Sequence, residues 1–245
     1  MKLQLGTSRF DRLTPAAVGY FRKPGWVHLG DAEPQAPPGK RIREAVRDYG
    51  LFNTLKIVRQ AVVRRLGAAP ESNDSPAGHA DAAPVEVIPF YFQKGDALPY
   101  ADHTFAFVFS EHFFEHLFLD EAIALLGECH RVMKPGAVIR ICVPDADLRT
   151  DHPPEKAGFP FRKMPFTHPE KHKTRWSIYS LAEALRLCRF RPVPLRYHDR
   201  HGAFHDHTPE QLRSHYPPDL DEADFIFTLA YVQRASSLIV DGITI

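Results

Sequence analysis

The hydrophobic positions of the chain follow two periods, one typical of strands and one typical of helices. Apolar residues recur every three or four positions over residues 119–133 and 177–188, which predicts two amphipathic helices. The first should end at Lys134-Pro135-Gly136, because proline and glycine stop a helix. Short apolar or alternating runs predict strands at residues 3–6, 25–31, 85–93, 104–110, 137–143 and 193–198, followed by β-rich segments at 225–232 and 236–245.

Strands and helices alternate along the chain, and this order predicts the class of fold. It is typical of a mostly parallel sheet with helices on both faces. In such sheets, ligands bind beyond the carboxyl ends of the strands. The positions that follow the predicted strands are therefore candidates for a functional site, namely Gly6 onward, Asp31, Asp96, residues 110–116 and Asp145.

A basic segment at residues 40–66 interrupts this pattern. It has apolar residues at helical steps and eight Lys or Arg residues against two acidic ones, which predicts one or two amphipathic helices. We interpret residues 34–66 as a helical insertion in a single domain that spans 1–245. The insertion is either a lid or dimer face with a solvated basic side, or a surface attracted to an anionic membrane or to a phosphorylated or sugar-nucleotide acceptor. Residues 67–84 are small, polar and rich in proline, which predicts a flexible linker.

The overall composition argues against several classes of protein. The formal net charge is +1, so nothing points to nucleic acid as a partner. Cys129, Cys142 and Cys188 lie inside apolar patterns without paired spacing, which predicts reduced core residues. No apolar run approaches the ~20 residues of a membrane span, and the first residues look like a strand rather than a signal peptide. We therefore expect a cytoplasmic protein.

Four short motifs occur in order within about 50 residues of the second half of the chain. They lie at residues 95–105 (GDALPYADHTF), 110–117 (SEHFFEHL), 131–136 (RVMKPG) and 143–145 (VPD). Together they resemble the second half of the class I methyltransferase fold, whose members use S-adenosylmethionine (SAM). The first two predicted strands look like the first two strands of the same family.

The C-terminal part is similar to a branch of predicted methyltransferases linked to saccharide biosynthesis. The similar stretches are residues 172–176 (HKTRW), 198–205 (HDRHGAFH) and 237–241 (SLIVD). The resemblance covers residues 1–31 and 85–245, while the basic segment between them resembles no family. It implies a Rossmann-like fold with a mostly parallel seven-stranded sheet, helices on both faces and an antiparallel C-terminal strand. It also implies an enzyme that methylates a saccharide or another polar small molecule and converts SAM to S-adenosylhomocysteine (SAH).

The resemblance further implies which residues contact SAM. Gly6 lets the backbone approach the cofactor closely, and Thr7 and Ser8, where the family usually continues glycine-x-glycine, offer hydroxyls to its carboxylate. An acid after the second strand would bind the ribose hydroxyls, a role for which Asp31 and Glu33 compete. The remaining contacts follow the third and fourth strands, with Asp96 on the adenine amino group and Ala97, Leu98, Ser110 and Glu111 alongside.

Histidines are the candidate catalytic residues. An oxygen acceptor must lose a proton, and histidine suits that role near neutral pH. His112 follows the fourth strand at the expected mouth of the site, and His172 precedes the helix after the fifth strand. We predict that one of them is the base. His116, one helical turn after His112, is interpreted as structural.

A dense run of histidines and acids at residues 198–207 raises the question of a metal ion. Imidazole and carboxylate groups suit zinc and other divalent ions. The first part of the run, however, matches the hairpin of the saccharide-linked branch, where polar residues need no metal. The sequence therefore predicts no metal site.

Two other classes of function remain open at this point. Thr7-Ser8 in place of the usual glycines is compatible with a methyltransferase fold that has lost catalysis and serves in binding or assembly. The basic residues 40–66 are compatible with a peripheral membrane or polyanion-binding protein. The expected partner is a small-molecule or glycan acceptor, and the basic helices are a candidate surface for a membrane or for a homodimer.

Overall fold

The computed structural model describes residues 1–6, 19–30, 86–148, 172–218, 220–221, 228 and 237–245. The chain divides into two compact units, the first made of Met1–Ala32 with Glu86–Ile245 and the second of Glu33–Val85. The second unit lies outside the described residues. The predicted basic insertion at 34–66, its membrane and dimer alternatives, and the linker at 67–84 therefore remain predictions.

A single mixed sheet forms the centre of the first unit. Its strands in chain order are β1 Lys2–Leu5, β2 Trp26–Gly30, β3 Ile88–Pro89, β4 Phe105–Glu111, β5 Met133–Pro144, β6 Phe190–His198, β7 Phe204–Asp206 and β8 Ser237–Thr244. The spatial order is β3-β2-β1-β4-β5-β8-β6-β7. The first five strands are parallel, and β8 runs antiparallel to both β5 and β6. This confirms the predicted Rossmann-like α/β fold with its antiparallel C-terminal strand.

The sheet has eight strands within the described residues, one more than the resemblance implied. The additional strand is β7, which pairs antiparallel with the end of β6. The connecting turn is closed by Asp199, because its Oδ1 accepts hydrogen bonds from the backbone N–H groups of His201 and Ala203, both at 2.9 Å. The histidine-rich run at 198–207 is thus a hairpin at the edge of the sheet.

Two helices flank the strands where the periodicity predicted them, α1 Leu119–Val132 and α2 Ile178–Leu187. The sequence did not predict the short α3 Pro209–Leu212 or the 3-10 turns at Phe114–His116 and Arg213–His215. The apolar stripe of α1 is buried, and Met133 after it is already extended, so the helix ends just before the predicted proline-glycine stop. Ser177 begins α2 by accepting a hydrogen bond from the Ser180 N–H at 3.2 Å. Among the described residues, no helix is both long and apolar enough to cross a membrane.

Two strand predictions differ from the structure. The predicted strand at 85–93 is reduced to Ile88–Pro89 at the edge of the sheet. Proline has no N–H with which to extend a ladder, and Phe92 beyond it is buried in the core. Most of the β-rich segment predicted at 225–232 lies outside the described residues, and Thr228 within it is helical.

The three cysteines are buried in the core, as predicted, and the polar groups buried with them include an arginine–aspartate pair. Cys129, Cys142 and Cys188 are free and buried, and burial raises the pKa of the Cys188 thiol above its ordinary value.

Arg140 on β5 lies opposite Asp241 on β8, and both side chains are inaccessible to solvent. The guanidinium group donates to both carboxylate oxygens at 2.7 and 2.8 Å. This pair joins the antiparallel strand to the parallel part of the sheet.

His28 on β2 provides a pH-dependent contribution to stability. Its Nε2 lies 3.0 Å from the Phe21 carbonyl and its Nδ1 lies 2.8 Å from Gln4 Oε1. Burial lowers the pKa of His28, and the hydrogen bond with Phe21 offsets only part of that shift. Because the folded state resists protonation, the unfolded chain gains more protons as the pH falls below the ordinary imidazole value of about 6.5. We therefore expect His28 to reduce the free energy of unfolding under acidic conditions.

This expectation can be measured by urea unfolding at about pH 7.5 and about pH 5, on either side of the ordinary imidazole pKa. The wild type should lose more stability between the two conditions than His28→Gln, which keeps a polar side chain without the titration. Comparing the two proteins cancels the contributions of the other histidines. An equal loss in both would contradict the role assigned to His28.

Candidate active site at the carboxyl edge of the sheet

The carboxyl ends of the parallel strands lie along one edge of the sheet, and the candidate site is built there. Gly6 follows β1, Glu111 ends β4, Pro144 ends β5 and His198 ends β6. Ser237 begins β8, which is antiparallel, so it lies at the same edge opposite Pro144. Side chains that are far apart in the sequence are thus brought into one row.

Gly6 has the left-handed backbone conformation that favours glycine, with φ of 81°. A Cβ atom at this position would lie only 2.5 Å from the Cβ of Phe113. The sequence predicts that the absence of a side chain at Gly6 lets the backbone approach the cofactor. The structure shows that packing of Phe113 over Gly6 also requires this absence. Thr7, Ser8 and Asp31 lie outside the described residues, so their predicted contacts with SAM remain predictions, as does the role of Glu33.

Ser110 and Glu111 form the end of β4 beside Gly6. Ser110 pairs in register with Leu5 of β1 and Ile141 of β5. Its hydroxyl is buried and has no hydrogen-bond partner among the described residues. Since buried polar groups nearly always have a partner, this hydroxyl fits a site for a polar ligand. Glu111 is only partly buried.

The loop after β3 carries three of the predicted cofactor contacts. Asp96 and Ala97 are exposed, whereas Leu98 is buried. Asp96 closes its turn, because its Oδ2 accepts a hydrogen bond from the Gln93 N–H at 2.7 Å. The loop is fixed to α1 through Leu98, whose N–H donates to Glu128 Oε2 at 2.7 Å. The arrangement leaves Asp96 at the surface beside the edge where the adenine is predicted to bind.

Asp96→Ala is expected to weaken SAM binding by about 1–3 kcal/mol, the scale of removing the partner of a buried donor. Isothermal titration calorimetry with SAH measures this directly. Asp102→Ala is the matched control, since it removes another exposed carboxylate of the same loop, one that pairs with Arg131 instead. Equal affinity in wild type and Asp96→Ala would remove Asp96 from the cofactor site.

His112 lies at the centre of the edge in a left-handed conformation, with φ of 49°. Its Nδ1 donates to Glu115 Oε1 at 3.0 Å, and its Nε2 lies 3.5 Å from the Ser237 hydroxyl. Burial lowers the pKa of His112, but interactions with Cys142 and Glu115 outweigh burial and raise the pKa to about 10. At neutral pH the imidazole ring is therefore protonated on both nitrogens and positively charged, whereas a general base needs a free ring nitrogen.

His172 and His116 lie together rather than beside His112. Their ring centroids are 5.1 Å apart and the rings are perpendicular. The segment that carries His172 is held against the Phe114–His116 turn, because the N–H groups of Lys173 and Thr174 both donate to the Glu115 carbonyl, at 2.7 and 3.1 Å. His116, interpreted from the sequence as structural, is thus a neighbour of a predicted catalytic residue.

A second histidine–carboxylate pair lies at the same edge and was not recognised as such in the sequence. Asp145, directly after β5, accepts hydrogen bonds from the backbone N–H and the Nδ1 of His198, at 2.7 and 2.9 Å. The Asp145 side chain is inaccessible to solvent, and that of His198 is 13% exposed. From the sequence, Asp145 is a candidate only as a residue at the end of a strand. His198 is a candidate only as one member of the possible metal-binding run.

His205, another histidine of that run, contacts an aspartate and an aromatic ring. His205 Nε2 lies 3.1 Å from Asp199 Oδ2, and the His205 ring stacks on Tyr197 at 4.7 Å. The His205 hydrogen bond is the main reason that the pKa of Asp199 falls to about 2. Within the described residues, the group of side chains that converges like metal ligands is a different one, Glu115 with His116 and His172.

Comparison with known protein families finds one domain that matches part of the chain. A family described as a methyltransferase domain matches residues 58–141. The match includes β3, β4 and α1, and it leaves out β1 and β2. It begins inside the basic segment, so it includes residues 58–66, whose sequence resembles no family by itself. No curated protein matches the sequence.

Among solved structures, SAM-dependent methyltransferases are similar to the chain. One from Archaeoglobus fulgidus is 14% identical with a TM-score of 0.45, covering 99% of this chain and 85% of that one. One from Aquifex aeolicus is 14% identical with a TM-score of 0.43, covering 100% and 81%. The 1,6-didemethyltoxoflavin N1-methyltransferase of Burkholderia thailandensis, solved with SAH, is 12% identical with a TM-score of 0.43, covering 99% and 70%.

The family match and the order of the strands lead to the same conclusion. The sheet has five parallel strands, with β8 inserted antiparallel between β5 and β6, and the methyltransferase-domain match spans its central elements. Residues 58–141 therefore match a methyltransferase domain, and the sheet has the strand order of the Rossmann-like fold that the resemblance implied.

Proposed function

We propose that the enzyme transfers the methyl group of SAM to a hydroxyl oxygen of a saccharide or another polar small molecule. In this proposal, His198, held by Asp145, takes the proton of that hydroxyl. The observation that carries the proposal is the Asp145–His198 pair at the carboxyl edge of the sheet. Methyl transfer needs an aligned nucleophile, and a hydroxyl becomes a better nucleophile as it loses its proton.

The geometry of the pair suits a general base. Asp145 is fixed on both oxygens, since Oδ2 binds His198 and Oδ1 accepts a hydrogen bond from the Asp147 N–H at 3.0 Å. A buried carboxylate that accepts from Nδ1 fixes the tautomer and orientation of the imidazole. The other ring nitrogen, Nε2, is then the one available to accept a proton from the acceptor.

The two histidines predicted from the sequence are less suited to this role. Both ring nitrogens of His112 face protein groups, Glu115 on one side and Ser237 on the other. His172 is exposed and its ring packs against the His116 ring, and within the described residues no hydrogen bond to a carboxylate orients it as a base. Their assignment as the base remains a prediction that the same experiments test.

The surroundings of His198 favour a polar acceptor with apolar faces, such as a sugar. The Phe204 ring is 45% exposed and lies 4.9 Å from the His198 ring. Tyr179, at the start of α2, is 51% exposed, and its hydroxyl accepts a hydrogen bond from the Arg200 N–H at 3.4 Å. Aromatic rings next to hydrogen-bonding groups match the alternating apolar and hydroxylated surfaces of saccharides.

Incubation with labelled SAM and a panel of saccharides and other hydroxylated small molecules tests this proposal. We expect label in a base-stable methyl ether of at least one acceptor. A matched panel of amines and thiols identifies the accepting atom. Transfer only to amines or thiols, or no transfer by a chain that binds SAM, would contradict the proposed oxygen chemistry.

A further inference from the structure

We propose that Glu115, His116 and His172 form a binding site for a divalent transition metal ion. Each residue offers one ligand atom, and these three atoms all lie within 4.8 Å of one another. Two imidazole nitrogens and one carboxylate oxygen are the donor set of many zinc sites that keep one position open. Mg²⁺ and Ca²⁺ prefer oxygen ligands throughout, so the pair of histidines favours a transition metal.

The state of Glu115 is the second observation that points to a cation. Its side chain is only 2% exposed. One carboxylate oxygen, Oε1, accepts the hydrogen bond from His112, while Oε2 is buried without a hydrogen-bond partner among the described residues. A buried anionic oxygen without a partner is unfavourable, and a bound cation would satisfy it. His112 would then orient the ligand from behind, as second-layer hydrogen bonds do in metal sites.

The backbone around the cluster holds the three residues in place. Glu115 and His116 are neighbours in the 3-10 turn Phe114–His116. Across from them, Thr174 Oγ1 donates to the carbonyls of Phe114 and Leu117, both at 3.1 Å. With the two backbone hydrogen bonds to the Glu115 carbonyl, these contacts fix the segment beside His172. The position of His172 next to His116 is thus imposed by the fold.

The separations require only a small adjustment for metal binding. Bonds of ~2.0–2.1 Å in tetrahedral geometry place ligand atoms about 3.3 Å apart. The longest separation is at most 4.8 Å, so closing it to that distance needs a shift of at most about 1.5 Å, which rotamer changes can supply. His172 is exposed, so it is the ligand most able to move.

The site lies at the same edge as the proposed acceptor site. Glu115 contacts His112, and His112 approaches Ser237 beside the end of β5. Three protein ligands would leave a fourth position for water or for an oxygen of a bound molecule. This inference does not rest on the proposed O-methylation, because metal binding is measured without SAM and without an acceptor.

The test is a titration of the full-length chain, stripped with a chelator, with Zn²⁺ in competition with a chromogenic chelator. We expect one equivalent bound, with affinity reduced at least tenfold in His116→Ala and in His172→Ala. His130→Ala is the matched control, since His130 lies in the last turn of α1 and contacts the Ile245 carbonyl instead. The visible spectrum of bound Co²⁺ should change in the same two variants.

Glu115→Gln provides an isosteric variant that keeps the size of the side chain, and far-ultraviolet circular dichroism verifies that each variant is folded. We expect this variant, too, to bind Zn²⁺ more weakly than the wild type. The proposal is overturned if the wild type binds no stoichiometric Zn²⁺. It is also overturned if the folded His116→Ala/His172→Ala double variant binds Zn²⁺ as the wild type does.

Discussion

Replacing His198 with alanine is expected to lower the turnover of methyl transfer by about 10²–10⁴-fold, the usual contribution of a positioned base. The affinity for SAM should stay unchanged, because His198 lies at the end of β6, separated from β1 by three strands of the sheet. The acceptor identified with labelled SAM provides the assay. Calorimetry with SAH provides the measure of cofactor affinity.

Asp145→Asn tests whether the charge of Asp145, rather than its shape, orients His198. The amide keeps the volume of the carboxylate but removes its charge, so turnover should fall by a smaller factor than in His198→Ala.

His201→Ala is the matched control for this experiment. His201 lies in the same hairpin and is exposed, and its backbone N–H bonds to Asp199 rather than to Asp145. Its turnover should equal that of the wild type. If His198→Ala kept near-normal turnover while His112→Ala or His172→Ala lost it, the base predicted from the sequence would replace His198. If all three kept it, solvent would take the proton.

Asp241→Ala is expected to cost about 3–5 kcal/mol of unfolding free energy, the cost of leaving a buried charge without its partner. The Asp241 carboxylate accepts two hydrogen bonds from Arg140 and one from the Tyr216 hydroxyl at 2.8 Å. Removing it leaves the Arg140 guanidinium charged in a site without solvent. Urea unfolding followed by circular dichroism measures the change.

Asp206→Ala is the control for the buried pair. Asp206 also pairs with an arginine on a neighbouring strand, Arg196, but the ions are 3.7 Å apart and the aspartate is 43% exposed. Exposed pairs contribute about 0–1 kcal/mol, so this variant should be nearly as stable as the wild type. A similar small loss in Asp241→Ala would show that Arg140 finds other partners or water.

The elements of the sheet were predictable where each strand or helix has a clear period. The stripe of α1 and the apolar run of β4 were placed within one residue at most ends, because burial on one or both faces leaves a direct mark on the sequence. The short β3 was overpredicted, since Phe90 and Phe92 are apolar for reasons of packing around the loop rather than strand pairing.

The contacts of the site were less predictable, because they join residues far apart in the chain. Asp145 and His198 are 53 positions apart, and only the parallel course of β5 and β6 brings them together. Arg140 and Asp241 are 101 positions apart inside strands that otherwise look apolar. The Glu115-His116 dipeptide was visible in the sequence, but nothing in it indicated that His172 would lie beside it.

Calorimetric titration of the full-length chain with SAH tests the central claim most directly. We expect saturable binding of about one equivalent, competed by SAM and weakened in Asp96→Ala but not in Asp102→Ala, because the cofactor site is predicted at the carboxyl ends of β1, β2, β3 and β4. The absence of saturable binding of both SAH and SAM to the folded chain would contradict a SAM-dependent methyltransferase.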